Sequence, residues 1–157
     1  QMGQLASAIS FYLRTAEYGE NSYPLTAYVS LIKSALCFET QQNRQATVEN
    51  LLLKAIAHEP SEPFAYFYLA RFYERAGKWQ ECYTVASTGL MFAQNTYNNP
   101  LPAYVEYNGT YCLLFEKAVA GWWLGQKEES KEIFETLLKE NISQEYRTAI
   151  ENNLKLY

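Results

Sequence analysis

Residues 62–73 read Glu62-Pro63-Phe64-Ala65-Tyr66-Phe67-Tyr68-Leu69-Ala70-Arg71-Phe72-Tyr73, and Ala76-Gly77-Lys78-Trp79, Cys82, Ala86 and Gly89 follow them. In this stretch Tyr66 is followed three positions later by Leu69 and a small residue, and then by Tyr73. Small residues return at Cys82 and Gly89, at a spacing that fits a second helix. Small residues fit where two antiparallel helices approach most closely, and large ones fill the space beside them. The stretch therefore predicts a pair of packed helices.

This spacing resembles the tetratricopeptide repeat, a helix–turn–helix unit of about 34 residues. Such units stack side by side, because one unit cannot bury its apolar face alone. The resemblance implies an all-α fold, a right-handed solenoid of antiparallel helix pairs with about eight helices and a C-terminal capping helix. It also implies an interaction scaffold, not an enzyme.

The same spacing of apolar and small residues continues, with a less complete pattern, on both sides of this stretch. Apolar and small residues at helical spacing carry it, namely Leu5, Ala8, Ile9, Tyr12, Ile32, Ala35, Leu52, Ala55, Leu114, Ala118, Phe134 and Leu137. We therefore expect 1–157 to form one helical domain. Its expected segments are a half repeat at 4–19, a degenerate repeat at 24–60, the clear repeat at 61–94, a loop at 95–106, a further repeat at 107–142 and a capping helix at 143–157.

The predictions for the loop and for the two ends of the chain rest on local sequence signals. Two prolines and three asparagines between positions 95 and 102 predict the loop, which is either a contact surface or a tolerated insertion. Ser143 is a favourable N-cap for the last helix. Because the chain begins with the second half of a repeat, we expect it to be a fragment of a longer protein.

The amino-acid composition limits the catalytic and metal sites that this chain can form. All seventeen acidic residues are glutamates, and the chain has no aspartate. A Ser-His-Asp triad, an Asp-x-Asp metal motif and an EF-hand loop are therefore excluded. The three cysteines, Cys37, Cys82 and Cys112, fit neither a zinc site nor a redox pair, and we interpret them as buried reduced thiols. With His58 as the single histidine, we expect no cofactor, no metal and no catalysis by this chain on its own.

The net charge and the hydropathy of the chain limit the kinds of molecule that it can bind. The formal net charge is −4, and no basic run is present that could release counterions from a nucleic acid. No stretch approaches the roughly 20 apolar residues of a membrane span, and the amino terminus lacks the pattern of a signal peptide. We therefore expect a soluble, cytoplasmic protein whose partner is a protein or peptide, not a nucleic acid.

A narrower resemblance rests on several motifs in a fixed order. They are His58-Glu59-Pro60-Ser61-Glu62-Pro63, Tyr68-Leu69-Ala70, Gly77-Lys78, a long loop that contains prolines, Tyr107, and Glu116-Lys117-Ala118-Val119-Ala120-Gly121-Trp122-Trp123-Leu124-Gly125. Together they resemble the helical module attached to certain family 2 glycosyltransferases, over about residues 4 to 155. The resemblance implies an accessory domain of a larger glycan-building enzyme, whose separate catalytic domain binds a nucleotide sugar and a divalent metal. Its partner would be that catalytic domain or a glycan acceptor, and no catalytic residue is carried over to this chain.

A binding groove is expected on the concave face, which the first helix of each pair forms. The residues that helical counting places there are Lys33, Cys37, Phe64, Phe67, Arg71, Arg75, Phe115, Val119 and Trp122. Aromatic and arginine side chains dominate interface hot spots, and aromatic faces also stack on sugar rings. Arg71 and Arg75 lie one turn apart, which favours an anionic ligand or water between them. The alternative for the aromatic residues is that they pack against neighbouring helices.

Three functional interpretations follow from these observations. The first is a non-catalytic accessory domain of a glycosyltransferase, which positions a partner or acceptor. The second is a free-standing adaptor that binds a peptide in its groove. The third, an enzyme in its own right, has Glu39 and Glu116 as its half-buried candidates and is the least favoured. For Glu116 itself, we expect a structural polar contact with Lys, Arg, Tyr or a backbone donor.

Overall fold

Eight α-helices make up the regular structure of residues 2–41, 44–93 and 106–157, which the computed structural model describes. They are α1 (Met2–Gly19), α2 (Pro24–Glu39), α3 (Gln45–His58), α4 (Pro63–Arg75), α5 (Trp79–Ala93), α6 (Thr110–Trp123), α7 (Lys127–Leu137) and α8 (Gln144–Leu154). These described ranges contain no β-strand. The expected all-α, tetratricopeptide-like solenoid of antiparallel helix pairs is therefore confirmed. The assignment of the helices to successive repeats stays a prediction, and the predicted loop at 95–106 lies, apart from Glu106, outside the described residues.

Local sequence explains where several helices begin and end. Pro24 and Pro63 occupy the first turns of α2 and α4, where a missing N–H removes no helical hydrogen bond. The Ser143 hydroxyl accepts a hydrogen bond from the Tyr146 N–H at 3.5 Å, so the predicted cap of α8 is confirmed. Gly77 and Gly125 follow α4 and α6 with φ of 68° and 82°, a left-handed conformation that favours glycine.

Neighbouring helices pack in sequence order, and α4 also packs against α6. Small residues allow this close approach. A Cβ at Gly89 of α5 would lie 2.7 Å from the Tyr66 Cβ of α4, and one at Gly121 of α6 would lie 2.6 Å from the Ser130 Oγ of α7. The close contacts expected at the small positions are therefore present. None of the described helices is long and apolar enough to span a bilayer.

One buried side chain joins α2 to the start of α4. The Tyr28 hydroxyl of α2 donates to the Glu62 carbonyl at 3.2 Å and accepts from the Ala65 N–H at 2.8 Å. Glu62 is the N-cap residue of α4, and its own side chain makes no capping hydrogen bond. Tyr28 therefore satisfies backbone groups at the start of α4 from outside that helix.

Candidate binding cleft

A cleft of about 310 Å³ lies where α4, α6 and α8 meet, and we call it the central cleft. Its lining combines three aromatic rings, two arginines and four glutamates with three smaller residues, namely Phe67, Phe115, Tyr146, Arg71, Arg75, Glu74, Glu106, Glu116, Glu145, Asn108, Cys112 and Ala149. Four of the residues predicted for the groove, Phe67, Arg71, Arg75 and Phe115, are thus brought together. The volume suits one or two side chains of a partner, since pockets for larger ligands extend to about 1,000 Å³.

The aromatic wall of the central cleft consists of Phe67, Phe115 and Tyr146. The rings of Phe115 and Tyr146 meet edge to face, with centroids 5.1 Å apart and planes at 86°. Phe115 also contacts Phe134 of α7, and Tyr146 contacts Tyr111 of α6. Because Phe67 is only 2% exposed, the wall is fixed by packing before any ligand arrives. Such pre-organised rings lose little entropy on binding.

The two arginines differ in their surroundings. The Arg75 guanidinium donates from Nη1 to the Glu39 carboxylate of α2 at 2.7 Å, so its charge is already paired. The Arg71 guanidinium carbon lies 5.4 Å from the centroid of the Phe67 ring, within the range of a cation–π contact. Arg75 is therefore paired within the chain and Arg71 lies against a ring, and the anionic ligand or water expected between them stays a prediction.

Glu116 lines the same cleft from α6 and is only 4% exposed. Burial and the nearby Glu74 carboxylate raise the pKa of the Glu116 carboxyl to about 8, while Arg71 and Arg75 act in the opposite direction. Within the described ranges, no hydrogen bond or ion pair reaches this carboxylate. The expected structural contact of Glu116 is therefore wrong. A lone glutamate in an apolar helix was the sequence signal for an unusual group, but it did not reveal that the carboxyl opens into a cleft.

The overall charge of the central cleft is negative. Four glutamates against two arginines give 2 − 4 = −2 when all are ionised. One of the two positive charges, that of Arg75, is also neutralised by its ion pair with Glu39. The cleft therefore favours a cationic group over an anionic one.

Val119 and Trp122 line a different cleft, of about 410 Å³, together with Trp79 and Trp123. The rings of Trp79 and Trp123 are stacked at 5.0 Å with planes only 8° apart. The Lys127 ammonium lies 4.9 Å from the Trp122 ring centroid. These aromatic residues thus form a second surface at the C-terminal end of the solenoid, which shares Glu74 with the central cleft.

The other predicted groove residues lie elsewhere. Phe64 is buried, with its ring 5.1 Å from that of Tyr107. Lys33 and Cys37 are half-buried on α2 and line neither cleft. Sequence reasoning missed Glu145 and Tyr146, because α8 was interpreted as a cap alone, and it also missed Glu74 of α4. Tyr146 lies four positions before Ile150, and this helical spacing of apolar residues was the available signal.

A family model for the tetratricopeptide repeat matches residues 51–84. The match runs from within α3 through all of α4 into α5. No curated protein matches this chain. Tetratricopeptide repeats are in general non-catalytic protein-interaction modules. The matched residues together with the stacked helix pairs therefore identify a tetratricopeptide repeat at 51–84 and support a tetratricopeptide-repeat domain.

Proposed function

We propose that this chain is a protein-interaction module that holds a segment of a partner protein in the central cleft. One observation carries the proposal. The matched repeat contributes the α4 wall of the cleft, because Phe67, Arg71 and Arg75 all lie within residues 51–84. One wall of the cleft thus lies on the part of the chain with the best-supported interaction role, and the cleft combines aromatic and charged side chains as interface hot spots do.

The resemblance of 116–125 to the helical module of family 2 glycosyltransferases supports a finer version of this proposal. In it, the chain is an accessory domain that positions the catalytic domain or a glycan acceptor. The glutamate of that motif is Glu116, which lines the central cleft. The alternative is a free-standing, cytoplasmic adaptor that binds a peptide in the same cleft. The intact mass of the native polypeptide separates the two, since the accessory domain requires an attached α/β domain and the adaptor does not.

A peptide library tests the proposed function itself. Random dodecapeptides displayed on phage are selected on the folded chain, and the selected peptides are titrated against two tryptophan variants of α8. Ala149→Trp fills the central cleft, whereas Thr148→Trp places the same ring on an exposed position of the helix. We expect Ala149→Trp to weaken binding by about 10-fold or more, as loss of a hot-spot contact does, and Thr148→Trp to leave it unchanged.

Two results would contradict this proposal. One is that no peptide is enriched on the folded chain. The other is that the enriched peptides bind the Ala149→Trp variant as tightly as the parent, with both proteins folded by circular dichroism.

A further inference from the structure

Glu116 is a buried acidic group that no hydrogen-bond donor of the described residues reaches. A carboxylate removed from water costs several kcal/mol unless hydrogen bonds or a counter-charge replace the lost hydration. In the part of the chain that the structure describes, the Glu116 carboxylate has neither a hydrogen bond nor an ion pair within 4.0 Å. The side chain nonetheless contributes to the lining of the central cleft. A ligand that enters this cleft can supply the missing donor.

The surroundings of Glu116 select the charge of that ligand. Arg75 is paired with Glu39 at 2.7 Å, and Arg71 lies over the Phe67 ring. Glu74, Glu106 and Glu145 add three further carboxyl groups to the lining. An anionic ligand would meet this negative potential, whereas a cation would be attracted by it and would satisfy Glu116.

The aromatic wall of the central cleft determines which shape of ligand side chain fits. A lysine or arginine side chain has a methylene stem that packs on apolar surface and a charged end that seeks a polar partner. The half-buried rings of Phe115 and Tyr146 offer the apolar surface, and their faces also attract a cation.

We infer that the central cleft receives a lysine or arginine side chain of the partner, with its cationic group against the Glu116 carboxylate and its stem along the rings of Phe115 and Tyr146. The inference rests on the proposed function and adds the chemistry of the partner to it.

Proton linkage follows from this arrangement, because Glu116 must be ionised to hold a cation. Its carboxyl has a pKa of about 8. The charged and titratable groups that face it are Glu74, Arg71 and Arg75 from α4, Cys82 from α5, Cys112 on its own helix, and Glu145 and Tyr146 from α8. Between pH 6 and pH 8 the ionised fraction of Glu116 rises by about 50-fold, and the affinity for a cation rises with it. Lysine, with a pKa of about 10.4 in solution, stays charged over this range.

Four acetylated and amidated pentapeptides test the inference, each with alanine at every position except the third. That position is lysine, arginine, norleucine or glutamate. Each peptide is titrated into the isotope-labelled chain at pH 8 and followed by backbone amide shifts. We expect saturable shifts around Arg71 and Glu116 with the lysine and arginine peptides, at least about 10-fold weaker binding of the norleucine peptide, and no binding of the glutamate peptide.

Two charge variants isolate the buried group. Glu116→Gln removes the carboxylate but keeps its shape, whereas Glu145→Gln removes one charge from the exposed rim of the same cleft. We expect Glu116→Gln to weaken binding of the lysine peptide by about 10-fold or more at pH 8 and to abolish its pH dependence. Glu145→Gln should weaken binding by less than about 3-fold, since rim charges contribute little, and should keep the pH dependence.

Several outcomes overturn the inference. They are the absence of saturable shifts with the lysine and arginine peptides, equal affinity for norleucine, preference for glutamate, or equal effects of the two variants. If these peptides fail while Ala149→Trp still blocks the library peptides, the partner-binding function stands and the basic side chain is wrong. If Ala149→Trp has no effect either, the proposed function fails as well.

Discussion

Arg75 of α4 and Glu39 of α2 form an ion pair, with Nη1 and Oε1 2.7 Å apart. The pair joins α2 to α4 at the edge of the central cleft. It also explains why Arg75 is not free for an anionic ligand, although its spacing from Arg71 favoured one. The Arg75 side chain is 50% exposed, so solvent screens the attraction.

The first prediction concerns the strength of this ion pair. A double-mutant cycle of Arg75→Ala and Glu39→Ala should give a coupling free energy of about 0.5 kcal/mol, because exposed pairs gain little over solvated charges. Urea unfolding of the four proteins measures it. A coupling above about 2 kcal/mol would show that the pair holds the two helices together more strongly than a surface contact does.

The second prediction concerns stability and pH. The folded chain holds the Glu116 proton up to a pH of about 8, whereas the unfolded chain releases it near the reference pKa of 4.5. The folded state therefore binds more protons between these values. The contribution of the Glu116 proton to the free energy of unfolding is fully present below pH 4.5 and is lost as the pH rises through 8.

Glu116→Gln removes this dependence. The variant should match the parent near pH 4 and exceed its free energy of unfolding by about 4–5 kcal/mol at pH 9. Urea unfolding across this pH range measures the difference. Glu132→Gln, at an exposed position of α7, serves as the control and should follow the parent. A constant difference between Glu116→Gln and the parent at every pH would contradict the raised pKa of Glu116.

The third prediction concerns the contact between α4 and α5. Gly89→Ala places a methyl group 2.7 Å from the Tyr66 Cβ and about 3.1 Å from a Leu113 methyl. The helices must move apart, and we expect a loss of about 1–3 kcal/mol in the free energy of unfolding. At Gly19 the nearest atoms to an added Cβ lie at 3.5 Å, an ordinary contact.

Gly19→Ala is therefore the matched control, and its effect should be small. Thermal and urea unfolding compare the two variants. If Gly89→Ala proves as stable as the parent, the close approach of α4 and α5 at this point is incorrect.

The fold was predictable because its signals are local. Gly89 and Tyr66 lie on consecutive helices, so the small residue and its large neighbour appear at fixed spacing in the sequence. The caps and turns at Ser143 and Gly125 are local as well. Each of these positions is specified within a few residues of where it acts.

The central cleft was predictable only in part. Helical periodicity placed Phe67, Arg71 and Phe115 on one face, and the structure brings them together. Periodicity does not show that Glu39 neutralises Arg75 or that Tyr146 of α8 closes the cleft. Both contacts join residues more than 30 positions apart, and they depend on how the helix pairs stack, which no short motif encodes.

The hydroxyl of Tyr28 bonds to backbone groups at both sides of the α4 N-terminus. In a solenoid, each unit adds its own stability and a term for the interface with its neighbour. Part of the free energy of the interface between α2 and α4 therefore comes from the hydrogen bonds of Tyr28 at the start of α4. We expect α2 and α4 to exchange their amide protons as one cooperative unit, so that the wall of the cleft persists only while the preceding helix pair is folded.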